Sequence, residues 1–158
     1  MKRVKGFTLL ELMVVLAILG ALLGVVAPNL SFDSQKQQLQ QEAQSLQHAL
    51  QTQIDQAWLE GQTTLVKRNI DTVRWLRQSD KGWQEKGSAY DISDNLDSFV
   101  TTDTRQLRAA EKSLGVTEPV DLIFLSTGEY LAFRWALRNR SGEEIVIVGD
   151  GINALSLE

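Results

Sequence analysis

The chain has no cysteine and a single histidine, His48, in 158 residues. Without a thiol there is no disulfide framework and no sulfur nucleophile or redox centre. One imidazole cannot supply a His-dependent triad or a His/Cys zinc site. No glycine-rich phosphate loop is present. Asp91, Asp94 and Asp97 offer carboxylates for metal or acid/base work, but the simpler reading is a solvated acidic loop. These absences leave little for an enzyme to work with, and the sequence implies no cofactor or metal.

Positive charge is also scarce where it would matter for nucleic acid. Lys2, Arg3 and Lys5 stand together at the start, and the next cation is Lys36. Between them runs an apolar stretch from Phe7 to Leu30, 24 residues whose only ionisable side chain is Glu11. As a helix it would be about 36 Å long, enough to cross a hydrocarbon core of about 30 Å. The basic leader places the N-terminus in the cytoplasm and the bulk of the chain across the membrane. A carboxylate inside such a segment costs about 2.5–3.5 kcal/mol on insertion scales when central, and less near the interface, so it calls for a partner or a role.

Three ordinary readings compete for this segment. A secretory signal peptide would have a shorter apolar region, no internal carboxylate and a small-x-small cleavage site, whereas Val25-Val26-Ala27 is followed by Pro28. A plain signal anchor explains charge and length but not Glu11. A buried core helix does not explain the sharp basic-to-apolar boundary.

Gly6-Phe7-Thr8-Leu9-Leu10-Glu11 behind a short basic leader resembles the type III signal of type IV pilins and type II secretion pseudopilins. The resemblance implies cleavage by a prepilin peptidase between Gly6 and Phe7, N-methylation of Phe7, and a role for Glu11, then the fifth residue of the mature chain, in assembly. Physically, a neighbouring subunit displaced along a fibre axis could offer its amine to Glu11 and turn an expensive charge into a pair. Gly20-Ala21-Leu22-Leu23-Gly24 is a small-xxx-small pattern that lets helices approach closely, although glycine is also simply commoner in membrane helices. Pro28 removes the donor to the Gly24 carbonyl, so a bend or loosening is expected between Gly20 and Pro28. Removing Lys2, Arg3 and Lys5 from the 16 basic residues leaves 13 against 20 acidic ones, a balance of −7 that argues against a nucleic-acid binder. Many type IV pilins close a C-terminal loop with a disulfide while most pseudopilins do not, so the absence of cysteine points towards secretion.

The rest divides into a second helical segment and a strand-rich region. Ser31-Phe32-Asp33-Ser34 reads as a re-start, followed by a glutamine-rich amphipathic helix. Its stripe is Leu39, Ala43, Leu46, Leu50, Ile54, Ala57 and Trp58, with glutamines on the opposite face and Gly61 as terminator. Strands are expected over Thr63–Arg68, Thr72–Gln78, Val120–Leu125, Tyr130–Arg138, Glu144–Val148 and Ile152–Leu157. A short helix is expected over Arg105–Leu114, and Ser88–Thr104 reads as irregular. The last four strands are joined by turns short enough for antiparallel hairpins. Leu131, Phe133, Trp135 and Leu137 face one way and Tyr130, Ala132, Arg134, Ala136 and Arg138 the other. Arg134 and Arg138 read first as a solvated face and second as a stripe for an acidic partner, and Trp75 and Trp83 read as core. The expected organisation is a leader at 1–6, an assembly helix at 7–30, an amphipathic helix at 31–61 and a β-rich domain at 62–158. The fold class is α+β: a long pilin-like helix on two small antiparallel sheets.

Val120-Asp121-Leu122-Ile123-Phe124-Leu125-Ser126-Thr127-Gly128-Glu129, then Phe133-Arg134 and Gly149-Asp150-Gly151, resemble the domain of H-type minor pseudopilins and some minor type IV pilins. Thr127 stands where the family more usually has proline. No calcium loop like that of the major pseudopilin is evident. The resemblance implies a minor pseudopilin in the inner membrane with a periplasmic domain, joining the major pseudopilin to the tip subunits. Prepilin peptidase, secretin and exoprotein are further partners implied. The alternative is a minor type IV pilin or a competence pseudopilin that binds DNA.

Overall fold

The computed structural model describes residues 9–158, and for Gly20 and residues 22–33 it describes the helical backbone alone. Gly6 and Phe7 therefore lie outside the described residues. The chain forms two units, Met1–Gln37 and Gln38–Glu158. Helix α1 is assigned without interruption over Leu9–Glu60. The stretch Ser31–Ser34, read as a re-start or N-cap, lies inside this one long helix, whose expected membrane and amphipathic halves are a single assigned element. The assignment also continues through Gly20, Gly24 and Pro28.

In the first unit, the apolar side chains of Leu9, Leu10, Leu12, Met13, Val14, Val15, Leu16, Ile18 and Leu19 are exposed. Among the described residues no helix is long and apolar enough to cross a membrane. The span expected over residues 7–30 includes positions outside them.

In the second unit the helical stripe forms the spine of the core. Leu39, Ala43, Leu46, Leu50, Ile54 and Ala57 are each no more than 5% exposed, as a period of 3.6 requires of one buried face. Trp58 is the exception at 62% exposed, correcting its assignment to the stripe. The helix ends one turn later in a Schellman motif: Gln62 N–H donates to Ala57 O at 3.0 Å and Gly61 N–H to Trp58 O at 3.2 Å. Gly61 adopts φ +62°, a conformation that glycine reaches without a Cβ penalty.

Two antiparallel sheets follow. The first has β1 (Thr64–Asn69), β2 (Thr72–Ser79), β3 (Gly82–Glu85), β4 (Tyr90–Asp91) and β6 (Leu122–Phe124), in order β3-β2-β1-β6 with β4 on β2. The second has β5 (Leu96–Thr102), β7 (Phe133–Asn139), β8 (Glu144–Gly149) and β9 (Ser156–Leu157), in order β5-β7-β8-β9. Helix α2 (Thr104–Ser113) lies between β5 and β6 in sequence and is capped by Asp103, whose side chain accepts from Arg105 N–H at 2.9 Å and Gln106 N–H at 3.2 Å. The region read as irregular therefore contains β4 and β5, β3 adds an unexpected strand after the Ser79–Gly82 turn, and the expected strand at Ile152–Leu157 shrinks to two residues.

The first sheet is buried on both faces around β1 and β6. Val66, Leu122 and Phe124 join the α1 core, while Leu65 and Ile123 pack with Leu107 of α2 and Val120. That double burial corrects a hairpin expectation. Instead of pairing with β7, β6 pairs with β1, and only the Phe124–Tyr130 bridge survives across the Ser126–Glu129 turn. The β7–β8 hairpin forms as expected. Phe133, Trp135 and Leu137 are buried and Arg134 and Arg138 exposed, but Tyr130 is buried too, against expectation. It lies outside β7, and its N–H donates to Gly151 O at 3.0 Å.

Candidate assembly site

A subunit that acts by assembly needs a rigid domain, a means of attachment and faces for its neighbours. The domain is tied to α1 by polar side chains. Gln47 Nε2 donates to Leu155 O at 2.6 Å and Gln51 Oε1 accepts from Leu155 N–H at 2.9 Å, so two glutamines satisfy both backbone groups of one buried residue. Glu42 accepts from Tyr90 Oη at 2.8 Å and Ser93 Oγ at 2.7 Å. Burial, opposed by the Ser45 side chain and assisted by Glu42, pushes the Tyr90 phenol up to about 12. Arg77 of β2, buried, pairs with Glu60 and donates to Gln56 Oε1 at 2.9 Å and Thr64 Oγ1 at 3.2 Å. Sequence reasoning missed these anchors: it placed the glutamines on a solvent face, and nothing in local sequence says which of them meets a strand or loop 21 to 108 residues away.

The late glycine turn is built by contact. A Cβ on Gly149 would sit 2.6 Å from ring carbons of both Phe133 and Tyr130, so glycine is needed there for close approach. Asp150 accepts from Ile152 N–H at 3.0 Å, Asn153 N–H at 2.8 Å and Asn153 Nδ2 at 2.6 Å. These bonds, the Asn153 side chain foremost, hold its carboxyl down at about 2. The turn is therefore tied together by hydrogen bonds from within the chain.

The outer face of the second sheet answers the question of the arginines. Arg134 Nη2 meets Glu158 at 2.9 Å, and Arg138 Nη2 meets Glu144 at 2.6 Å. Arg138 also lies 5.8 Å over the centre of the Phe99 ring. Both cations are engaged within the fold, which favours the solvated-face reading. Trp75 is core at 4% exposed, while Trp83 is half-buried beside the α2 cluster. His48 is exposed on α1. Among the described residues, no group of three or more His, Asp and Glu side chains is arranged to hold a metal ion. Glu11 lies in the first turn of α1 with an exposed side chain.

Comparisons with known proteins agree with this arrangement. Residues 1–27 match the family model of the prokaryotic N-terminal methylation motif. The chain is 27% identical over 169 aligned positions to type II secretion system protein H of Pseudomonas aeruginosa, covering 100% of this chain and 98% of that protein. In fold it is similar to the minor pseudopilin EpsH of the Vibrio cholerae type 2 secretion system (TM-score 0.58, 21% identity, covering 77% of this chain and 96% of that one). It is likewise similar to the solution structure of GspH from E. coli (TM-score 0.57, 18% identity, covering 77% and 88%). With the methylation motif at its start, a match to a secretion protein H along its whole length and a fold similar to those of solved pseudopilins, the chain is similar to the H-type minor pseudopilins of type II secretion.

Proposed function

We propose that the chain is a structural subunit of the periplasmic pseudopilus, seated between the major pseudopilin and the tip subunits, and that it helps drive folded exoproteins towards the outer-membrane secretin. The observation that carries this reading is the coincidence, in one chain, of the methylation motif at residues 1–27 with end-to-end similarity to a secretion protein H. Prepilin peptidase cuts between Gly6 and Phe7 and methylates Phe7. The apolar segment at 7–30 anchors the subunit in the inner membrane with its N-terminus cytoplasmic, and the domain after it is periplasmic. In the fibre the exposed apolar side chains of Leu9 to Leu19 are covered by lipid or by neighbouring helices, and Glu11 pairs with the N-terminal amine of an adjacent subunit. The segment containing Gly20, Gly24 and Pro28 is where α1 loosens on assembly. The test is deletion of the gene with complementation in its own host. The reading requires loss of exoprotein secretion on deletion, rescue by the wild-type chain, and a mature N-terminus at Phe7. A mature chain beginning after Ala27, or secretion unaffected by deletion, would refute it.

A further inference from the structure

Two contiguous grooves open beside the Gly149–Asn153 turn. One, of about 250 Å³, lies between α1 and the turn and includes Trp58, Ile54 and Asp55. The other, of about 380 Å³, runs under α2 and includes Ile123, Leu131 and Asp150. Glu129 and Ile152 line both. Two large apolar side chains stand proud at this junction, Trp58 at 62% and Ile152 at 77% exposed, an unusual investment for a water-facing surface. Trp58 lies over Gly128, its Cγ 3.5 Å from where a Cβ on that glycine would be, and exposed tryptophans are among the anchors that dominate protein interfaces. Every charged residue lining the two grooves is acidic: Asp55, Glu129 and Asp150, with no lysine or arginine.

From this combination we propose that the Trp58–Ile152 junction is a docking surface for an exposed segment of a different pilin-like subunit, one in which an aliphatic or aromatic side chain stands within a few residues of lysine or arginine. The identity of that partner as a pilin-like subunit rests on the function proposed above. The apolar side chain enters between Trp58 and Ile152, and the cation meets Asp55 and Glu129. A second copy of this chain fits less well. Its own prominent apolar tip, Ile70 at 84% exposed, is flanked by Arg68, Asp71 and Arg74. Arg68 already donates to Ser98 O at 2.9 Å, Arg74 pairs with Glu85 at 2.8 Å and Lys67 pairs with Glu118, so each cation near this tip is engaged within its own fold. A lipid surface fits less well still, since anionic headgroups would face three carboxylates.

The experiment uses the full chain, produced with the other pseudopilins of its own secretion system, carrying a photoreactive phenylalanine analogue at Ile152 or, for comparison, at Phe99. Adducts are mapped to residues by mass spectrometry. The expected result is an Ile152 adduct on another pseudopilin within a few residues of lysine or arginine. Its yield should fall about tenfold in Asp55→Lys/Glu129→Lys and about two- to threefold in the near-isosteric Asp55→Asn/Glu129→Gln, as for rim charges. It should not change in the remote Asp80→Lys. An adduct indifferent to both rim pairs, or one formed with lipid or a second copy, overturns the proposal. So does an Ile152 position that captures nothing while Phe99 reaches a pseudopilin, and in that case the pseudopilus reading stands. If neither position captures a pseudopilin and secretion does not depend on the chain, both readings fall.

Discussion

Gln51 accepts a hydrogen bond from the backbone N–H of Leu155 at 2.9 Å, joining residues 104 positions apart through a side chain that looks interchangeable with its neighbours. With the Gln47 bond to the Leu155 carbonyl, it fastens the C-terminal loop to the helix.

Gln51→Ala should cost about 1–3 kcal/mol, because it strands a buried backbone donor. Gln44→Ala, at an exposed position of the same helix, should fall within about 0.5 kcal/mol of wild type. Urea unfolding followed by the far-ultraviolet helix signal separates the two, and equal effects would mean that the glutamines are only a solvated face.

Gly149→Ala should destabilise by about 1–3 kcal/mol through overpacking, since its new methyl must displace the Phe133 or Tyr130 ring. Adding Phe133→Leu should recover part of that loss by making room, which a thermal melt of the single and double variants would detect. No recovery would place the strain in the backbone.

Acid should weaken the Gly149–Asn153 turn in a defined window. The folded-state carboxyl of Asp150 lies at about 2 against an ordinary 3.8. Its stabilising bonds are therefore fully present above about pH 4 and are lost as pH falls through about 2. The stability difference between wild type and Asp150→Ala should stay constant from neutrality to about pH 5 and shrink below about pH 4. A gap unchanged at pH 2.5 would contradict the assignment.

Glu11→Gln should leave insertion and cleavage at Gly6–Phe7 intact, since removing a charge improves a membrane segment. On the proposed pairing, recruitment should nevertheless weaken, because a neighbour's amine would lose its partner. Cross-linking of mature subunits to the major pseudopilin reads this out. Unchanged cross-linking and secretion in the correctly processed variant would leave Glu11 as part of the peptidase signal alone.

What could be read in advance depended on how strongly a pattern was tied to local sequence. The stripe from Leu39 to Ala57 was legible because a buried helical face repeats every three or four residues, and the α+β class followed from it and from the strands around it. Trp58 was misread because it adjoins Ala57 at the edge of that stripe, two residues before the helix ends. Strand β5 was missed because its inner face carries Ser98 as well as Leu96 and Val100. Ser98 is buried and accepts from Trp135 Nε1 at 2.8 Å, a partner 37 residues away, so the alternation is hidden. Tyr130 was placed on the wrong face by extending the parity of β7 across residues that are not in the strand. For the candidate site, the motif residues Gly6, Phe7 and Glu11 stood out in sequence. The Trp58–Ile152 junction did not, because it exists only once α1 and the last turn are brought together.

The bonds to Leu155 also set an order of events. Synthesis proceeds from the N-terminus, so α1 appears first, with a hydrophobic stripe whose covering depends on strands that come later and a loop that comes last. β9 and Leu155 belong to the final four residues, and β9 is the strand that completes the second sheet. Contacts of such long sequence separation form late. The domain consequently cannot close until residues 155–157 have been made and can reach α1 and β8. Cutting the chain just before Leu155 would keep almost all of these residues and leave their core unsealed.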